Sequence, residues 1–88
     1  MERIQHLRIM VVHLYNVDCV QLHVNCNYIA TGSSYKTIRL WDVQSGECVC
    51  MFVGHIGMVL STTMSLDGHY MASGDEYGAI MMWDLPTG

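Results

Sequence analysis

The chain has 88 residues, 51% of them hydrophobic and 14% charged, and a formal net charge of −4. This composition argues against disorder, and the four Lys and Arg residues are too scattered to form a basic patch for direct binding of nucleic acid. No apolar run approaches the roughly 18 residues of a membrane-spanning helix, and the N-terminal segment lacks the apolar core of a signal peptide. We therefore expect an intracellular protein without a membrane span.

Short runs of alternating or β-branched residues, separated by turn residues, predict antiparallel strands and no helix. Two of the turns are marked by Asn25-Cys26-Asn27 and by Asp67-Gly68. In chain order, the predicted strands span 4–12, 17–23, 28–32, 37–43, 47–53, 58–64, 69–74 and 79–85.

The dipeptide Trp-Asp occurs twice, at Trp41-Asp42 and at Trp83-Asp84, and the two copies lie 42 residues apart. The same offset matches further residues without a gap, which is the signature of an internal repeat. The matched pairs include His13 with His55, Val17 with Val59, Tyr28 with Tyr70, Ala30 with Ala72, Gly32 with Gly74 and Ile38 with Ile80.

The two units resemble the WD repeat, whose copies build β-propellers. The resemblance is carried by Gly54-His55, by the run ATGS at 30–33, and by the closing LWD and MWD. It implies an all-β fold: a partial β-propeller of about two blades of antiparallel four-stranded sheet, the second blade incomplete. On this interpretation residues 1–88 are a WD-repeat region, with the outer strand of a preceding blade at 4–12, a complete blade at 17–53 and an incomplete blade at 58–85.

The resemblance also implies a structural hydrogen-bond chain in each unit, formed by a histidine, a serine or threonine, an aspartate and the tryptophan. In the family the aspartate stands six residues before the tryptophan, but this chain has Tyr35 and Tyr77 there. A phenol cannot replace a short carboxylate in a tight turn, and losing a charge-assisted hydrogen bond costs about 1.5–3 kcal/mol, so we expect both copies to be weakened. The remaining members are His13, Thr31 and Trp41 in the first unit, and His55, Ser73 and Trp83 in the second.

The residue types of a hydrolase triad occur in His55, Ser73 and Asp75, but no G-x-S-x-G turn and no oxyanion-hole glycines accompany them. His55 and Ser73 recur at the same phase as His13 and Thr31. The repeat therefore explains them as structural residues, and we predict no enzymatic activity.

Two spacings resemble metal ligands, His23-x-x-Cys26 and Cys48-Val49-Cys50, but neither has a second pair at the distance of a zinc site. We interpret the four cysteines as reduced packing residues. No glycine-rich phosphate-binding loop occurs, so the sequence predicts no metal, no cofactor and no small-molecule substrate.

Alternate loops of an antiparallel sheet fall at opposite ends of its strands. The loop before the first strand of a unit therefore lies beside the loop between its second and third strands. The resemblance implies that this end docks protein partners. The candidate contact positions are Asn16, Asp18 and Ser34 in the first unit, and Met58, Leu60 and Glu76 in the second.

Within the WD-repeat family, the segment 18–48 is most similar to the transcription factor IID subunit 5 family, particularly its plant forms. This similarity implies a truncated, non-catalytic scaffold in the nucleus that acts in RNA polymerase II pre-initiation complex assembly. Its partners would be histone-fold subunits of the same complex, with DNA contacted only indirectly. Two alternatives stay open, a WD-repeat substrate receptor of a ubiquitin ligase and a truncated product with no independent function. Gln44 and Pro86 stand where ligase receptors often carry arginine.

Overall fold

The computed structural model describes residue 3, residues 16–33 and residues 35–86. Within these residues the chain forms seven β-strands and no helix. The strand predicted at 4–12, and the residues His13 and Ser34, lie outside the described residues. The strands are β1 (Val17–Leu22), β2 (Tyr28–Ser33), β3 (Thr37–Asp42), β4 (Cys48–Val53), β5 (Val59–Met64), β6 (Tyr70–Asp75) and β7 (Ile80–Asp84).

The strands form two antiparallel sheets that follow the order of the chain. The first sheet has the order β1-β2-β3-β4, and in the described residues the second has the order β5-β6-β7. Short turns join consecutive strands, as expected where period-two apolar runs alternate with Asn, Asp, Ser and Gly. The predicted fold class, an all-β partial propeller built from antiparallel blades, is confirmed.

β1 and β5 each carry a bulge at the same point of the repeat. The register of β1 against β2 shifts between Val17 and Cys19, so Asp18 is an extra residue on β1. The register of β5 against β6 shifts in the same way, and Leu60 is its extra residue. Because a bulge bends the strand and redirects side chains, Asp18 and Leu60 occupy equivalent, irregular positions near the starts of their strands.

Two turns of the first sheet place non-glycine residues in left-handed backbone. Cys26 has a φ of 63° and Lys36 a φ of 71°. Their counterparts 42 residues later are Gly68, with a φ of 78°, and Gly78, with a φ of 85°. Since side chains with a Cβ disfavour this region, the first sheet forms the same turns with more backbone strain than the second.

The two sheets pack face to face, and the core lies between them. Val59 of β5 is completely buried beside Gly32 of β2, and a Cβ added to Gly32 would lie 2.8 Å from Val59 Cγ1. Phe52 of β4 meets Trp83 of β7 edge-on, with ring centroids 5.2 Å apart. The buried apolar residues of this core are Ala30, Ile38, Leu40, Phe52, Val59, Met71 and Leu85.

β1 and β5 run in the same direction through this interface. Cys19 Sγ lies 3.9 Å from the Val59 carbonyl oxygen near the start of both strands. At the other end, His23 Nε2 lies 2.9 Å from the carbonyl oxygen of Gly68 in the β5–β6 turn. The loops before β1 and β5 therefore open at one end of the molecule, which we call the upper rim and define as residues 16–18, 35–36, 54–60 and 76–79.

Candidate functional site

A chain of buried polar side chains runs through the second sheet. Trp83 Nε1 donates a hydrogen bond of 2.8 Å to Ser73 Oγ. Ser73 Oγ lies 2.6 Å from His55 Nε2, and His55 Nδ1 lies 2.9 Å from Asp75 Oδ2. His55, Ser73 and Asp75 are all buried, so these hydrogen bonds replace the water that the groups lose on folding.

For a neutral imidazole, the partners fix the direction of each hydrogen bond. The Asp75 carboxylate only accepts, so His55 carries its proton on Nδ1 and leaves Nε2 as an acceptor. Ser73 then donates its hydroxyl proton to Nε2, and its oxygen accepts the indole N–H of Trp83. Each side chain in the series Trp83, Ser73, His55 and Asp75 thus donates a hydrogen bond to the next one.

The carboxylate of this chain stands at a different position from the one that the sequence resemblance indicates. Tyr77 occupies the position six residues before Trp83, and it is 67% exposed. Asp75, two residues earlier, turns Oδ2 to His55 and Oδ1 to the backbone amides of Tyr77 and Ala79, at 2.9 and 3.1 Å. The expected weakening at Tyr77 is therefore offset in the second unit, because Asp75 binds both the imidazole and the turn amides.

Opposing effects act on the pKa of Asp75. Burial raises the pKa, whereas hydrogen bonds from the His55 ring and from the Ala79 and Tyr77 amides lower it. The net result is a pKa below the ordinary value of an aspartate. The carboxylate is consequently ionised at neutral pH, which suits its role as the acceptor at the end of the chain.

The first sheet has a shorter version of this arrangement in the described residues. Trp41 Nε1 donates to Thr31 Oγ1 at 2.9 Å, and both side chains are buried. Ser33 stands 42 residues before Asp75, is fully buried, and accepts a hydrogen bond from the Tyr35 amide through Oγ at 3.2 Å. In the first unit, the Ser33 hydroxyl therefore stands where the second unit has the Asp75 carboxylate.

The second sheet brings the residue types of a hydrolase triad together in the order Ser73, His55, Asp75. The Ser73 hydroxyl is 2% exposed, and its oxygen accepts the indole N–H of Trp83. A nucleophile needs access to a substrate, whereas this oxygen lies inside the sheet-to-sheet interface. The arrangement thus has the geometry of a structural network.

The cysteines and the ligand-like spacings have other roles in the described residues. None of the four cysteines forms a disulfide. Burial raises the pKa of the Cys19 thiol, which keeps it protonated. The ring nitrogens of His23 face Asn25 Oδ1 and the Gly68 carbonyl, at 2.8 and 2.9 Å, so packing explains this residue without a metal. Among the described residues, no three His, Cys, Asp or Glu side chains gather as a metal site requires.

None of the described residues belongs to a helix long and apolar enough to cross a membrane.

The upper rim contains the described candidate contact positions. Asn16 and Asp18 are exposed at the start of β1. Met58 and Glu76 are tied together, since the Glu76 amide donates to the Met58 carbonyl at 3.0 Å and the Met58 amide donates to Glu76 Oε2 at 3.2 Å. Leu60 is 51% exposed at the bulge of β5. Met58, Leu60 and Glu76 thus all lie exposed at the upper rim, and two hydrogen bonds join Met58 to Glu76.

Two rim residues were not among the predicted contacts. Ile56 is 70% exposed in the loop before β5. Tyr77 is 67% exposed, and its ring covers Gly57, where an added Cβ would lie 2.6 Å from Tyr77 Cδ2. Tyr77 could have been recognised as a contact position from the sequence, because it is an aromatic residue at a turn position that normally holds an aspartate.

Residues 4–42 and 46–84 each match the family "WD domain, G-beta repeat". The chain belongs to the WD-repeat family. The two matches cover both units of the internal repeat, and the second contains all four side chains of the buried hydrogen-bond chain. WD-repeat proteins use their propellers mainly as binding platforms rather than as catalysts.

Longer proteins contain segments that are similar to this chain in sequence or in structure. Transcription initiation factor TFIID subunit 5 of Caenorhabditis elegans is 42% identical over 64 residues, which cover 73% of this chain and 10% of that protein. A probable E3 ubiquitin ligase complex SCF subunit, sconB of Arthroderma benhamiae, is 33% identical over 52 residues, 59% of this chain and 8% of that protein. The crystal structure of the RRP9 WD40 repeats superimposes with a TM-score of 0.83 at 28% identity, over 88% of this chain and 25% of that one.

This WD-repeat chain therefore spans about a tenth of the length of these curated relatives and a quarter of the solved propeller.

Proposed function

We propose that this chain is a non-catalytic protein–protein interaction scaffold that contacts its partner through the upper rim. The observation that carries the proposal is the set of large apolar side chains exposed there on fixed backbone. Their exposed fractions are 70% for Ile56, 38% for Met58, 51% for Leu60 and 67% for Tyr77. Exposed aromatic and aliphatic anchors of this kind characterise the centres of protein interfaces.

The backbone beneath these side chains is held in place. Glu76 fixes the loop before β5 through its two hydrogen bonds with Met58, and Asp75 closes the β6–β7 turn that carries Tyr77. A prearranged surface loses less entropy on binding than a mobile one. The buried chain from Trp83 to Asp75 would thus act at a distance, by fixing the shape of the rim.

The resemblance to transcription initiation factor TFIID subunit 5 supports a nuclear role in assembly of the transcription pre-initiation complex. Histone-fold subunits of that complex are the proposed partners. Asp18 and Glu76 are exposed at the same rim, and their carboxylates favour a partner with basic side chains around an apolar contact. With a net charge of −4, contact with DNA would be made by the partner.

The experiment is a binding titration between the chain and purified histone-fold heterodimers of transcription factor IID. Leu60→Glu, which places a charge in the apolar part of the rim, should raise the dissociation constant about tenfold or more. The matched control is Leu66→Glu, because Leu66 is 94% exposed at the opposite end of β5 and its substitution should leave binding unchanged. Absence of binding, or equal loss in both variants, contradicts the proposal.

A second candidate function is substrate recruitment for a ubiquitin ligase, which the similarity to the SCF subunit favours. The same rim would then hold a substrate peptide, and the partner class would differ. Offering the chain a ligase adaptor and the histone-fold heterodimers in competition separates the two. Retention of the adaptor alone supports the ligase function.

A further inference from the structure

The end of the molecule opposite the upper rim carries two exposed aliphatic side chains at equivalent positions of the repeat. We call this end the lower rim and define it as residues 22–28, 42–48, 64–70 and 84–86. Val24 in the β1–β2 turn is 56% exposed, and Leu66, which lies 42 residues later in the β5–β6 turn, is 94% exposed. Neither side chain belongs to the buried core, so both are available to a partner.

The two turns that carry these side chains are in direct contact. His23 Nε2 lies 2.9 Å from the Gly68 carbonyl oxygen, and a Cβ on Gly68 would lie 2.9 Å from Val24 Cγ1. The Gly68 amide donates to the Ser65 carbonyl at 3.0 Å, which closes the turn around Leu66. The two apolar side chains are thus presented on fixed backbone, so binding loses little entropy in ordering that backbone.

The lower rim contains four acidic residues and neither Lys nor Arg. The acidic residues are Asp42, Glu47, Asp67 and Asp84, of which Asp42 is half-buried and the other three are exposed. The upper rim differs in this respect, because its acidic residues share that end with Lys36. The lower rim therefore has a negative surface potential that attracts cationic groups.

The charge of Asp67 is not required by the turn in which it lies. Asp67 Oδ1 accepts hydrogen bonds from the Ser65 hydroxyl at 2.6 Å and from the His69 amide at 3.0 Å, and these bonds hold the pKa of the carboxyl below its usual range. In the first unit Asn25 stands at the same position, and its neutral Oδ1 accepts the Asn27 amide at 3.0 Å. A side-chain amide thus supports this turn without a charge, which leaves the ionised carboxylate of Asp67 to act on a partner.

A cavity of about 410 Å³ opens at the lower rim beside the β1–β2 turn. It is lined by Cys26, Asn27, Tyr28, Asp42, Val43 and Gln44. Asp42 Oδ1 accepts the Gln44 and Ser45 amides at 2.7 and 3.1 Å, which fixes the carboxylate in the wall of the cavity. Space together with a fixed carboxylate suits the long cationic side chain of lysine or arginine.

We propose that the lower rim binds a basic peptide segment of a partner protein, in which lysine and arginine side chains stand on both sides of an apolar residue. The apolar residue packs on Val24 and Leu66, one cationic side chain pairs with Asp67, and another enters the cavity beside Asp42. The carboxylates repel nucleic acid, anionic lipid and the same rim of a second copy, so charge selects against these other occupants. Because the lower rim lies at the opposite end from the upper rim, one chain can hold a partner at each end.

The test is fluorescence anisotropy of the full 88-residue chain with a labelled synthetic peptide, in which a central leucine is flanked on both sides by arginine and lysine. Val24→Ser combined with Leu66→Ser should raise the dissociation constant about tenfold or more, because it removes the apolar contact. Ile56→Ser is the matched control, since Ile56 is 70% exposed at the upper rim and its substitution should leave the affinity unchanged. A peptide with serine in place of leucine tests the same contact on the unmodified chain and should bind about as weakly as the double variant does.

The contribution of charge is measured with Asp67→Asn, which should raise the dissociation constant about two- to fivefold. Asp18→Asn removes the same charge from the upper rim and should leave the affinity unchanged. The effect of Asp67→Asn should shrink as the salt concentration rises, because salt screens exposed charges.

Three results would overturn the proposal. The first is that the unmodified chain does not bind the basic peptide, or binds vesicles of anionic lipid equally well. The second is an equal loss for Asp67→Asn and Asp18→Asn, which would mean that the peptide responds only to the net charge of the chain. The third is that the peptide with serine in place of leucine binds as tightly as the original. The lower-rim variants should keep their affinity for a partner of the upper rim, so failure at one end leaves the proposal for the other end intact.

Discussion

His23 of the first sheet lies with Nε2 at 2.9 Å from the carbonyl oxygen of Gly68 in the second sheet. The imidazole is 1% exposed, and a Cβ on Gly68 would lie 2.7 Å from its Cε1 atom. Only glycine, here with a φ of 78°, both adopts the turn and leaves room for the ring. His23 therefore joins the two sheets at the end opposite the upper rim, through this hydrogen bond and through packing of its ring against the Gly68 backbone.

Replacing His23 with alanine should weaken the contact between the sheets. The substitution removes the hydrogen bond, leaves the Gly68 carbonyl without this partner and opens a cavity, so we expect the free energy of unfolding to fall by about 2 kcal/mol. Urea denaturation followed by tryptophan fluorescence measures it. His69→Ala is the control, because His69 is exposed and its removal should cost little. An equal loss in both variants would show that His23 has no special role.

The low pKa of Asp75 predicts a dependence of stability on pH. The pKa is lower in the folded protein than in the unfolded chain, so ionisation of this group favours folding. The contribution is fully present above the pKa of an unfolded aspartate, about 3.9, and is lost as the pH falls through the folded pKa. Asp75→Asn should therefore lower the melting temperature most at neutral pH, and the difference from the unmodified protein should shrink below about pH 4.

The control for this pH series is Asp18→Asn, at the exposed bulge of β1. It removes the same charge from a position outside the buried chain, so its melting temperature should stay close to that of the unmodified protein throughout. A difference for Asp75→Asn that grows as the solution becomes more acidic would contradict the assigned role of the carboxylate.

An aspartate placed at residue 77, where the family usually has one, should not stabilise the second unit. Tyr77→Asp adds a carboxylate beside Asp75 and Glu76, although Asp75 already binds both His55 and the turn amides. The substitution also removes the ring that covers Gly57. We expect the melting temperature to remain unchanged or to fall. Tyr77→Asn separates the charge from the loss of the ring, and a clear rise for Tyr77→Asp alone would restore the interpretation drawn from the sequence.

The turns at Lys36 and Gly78 provide a reciprocal test of backbone strain. Both residues have positive φ, 71° and 85°, and both are exposed. Lys36→Gly should raise the free energy of unfolding by about 1 kcal/mol, and Gly78→Lys should lower it by a similar amount. Chemical denaturation measures both changes. Opposite signs are the essential result, since a shared sign would show that backbone strain does not decide the two changes.

The sequence predicted the strands and their pairing well because both follow from local signals. Alternation and turn residues placed all seven described strands, and the 42-residue offset matched β1, β2 and β3 with β5, β6 and β7. The role of Asp75 could not be read in this way. The carboxylate lies two residues from its family position, and only the folded turn shows that it reaches the imidazole. His23 was missed for a similar reason, since its partner lies 45 residues away in the other sheet.

Gly32 and Gly74 are equivalent in the repeat, but the structure predicts opposite responses to alanine. A Cβ on Gly32 would lie 2.5 Å from Cys19 Sγ and 2.8 Å from Val59 Cγ1, inside the packed interface, so Gly32→Ala should cost about 1–3 kcal/mol. A Cβ on Gly74 would lie 3.3 Å from Ser61 Oγ alone among side-chain atoms, so Gly74→Ala should change the free energy of unfolding by about 0.5 kcal/mol or less.

Urea denaturation measures the free energy of unfolding of both variants. Adding Cys19→Ala to Gly32→Ala removes the nearer of the two collisions and leaves the one with Val59, so it should restore only part of the lost stability. If Gly74→Ala proved as costly as Gly32→Ala, the cost would come from the strands themselves rather than from the sheet that covers one glycine and leaves the other open.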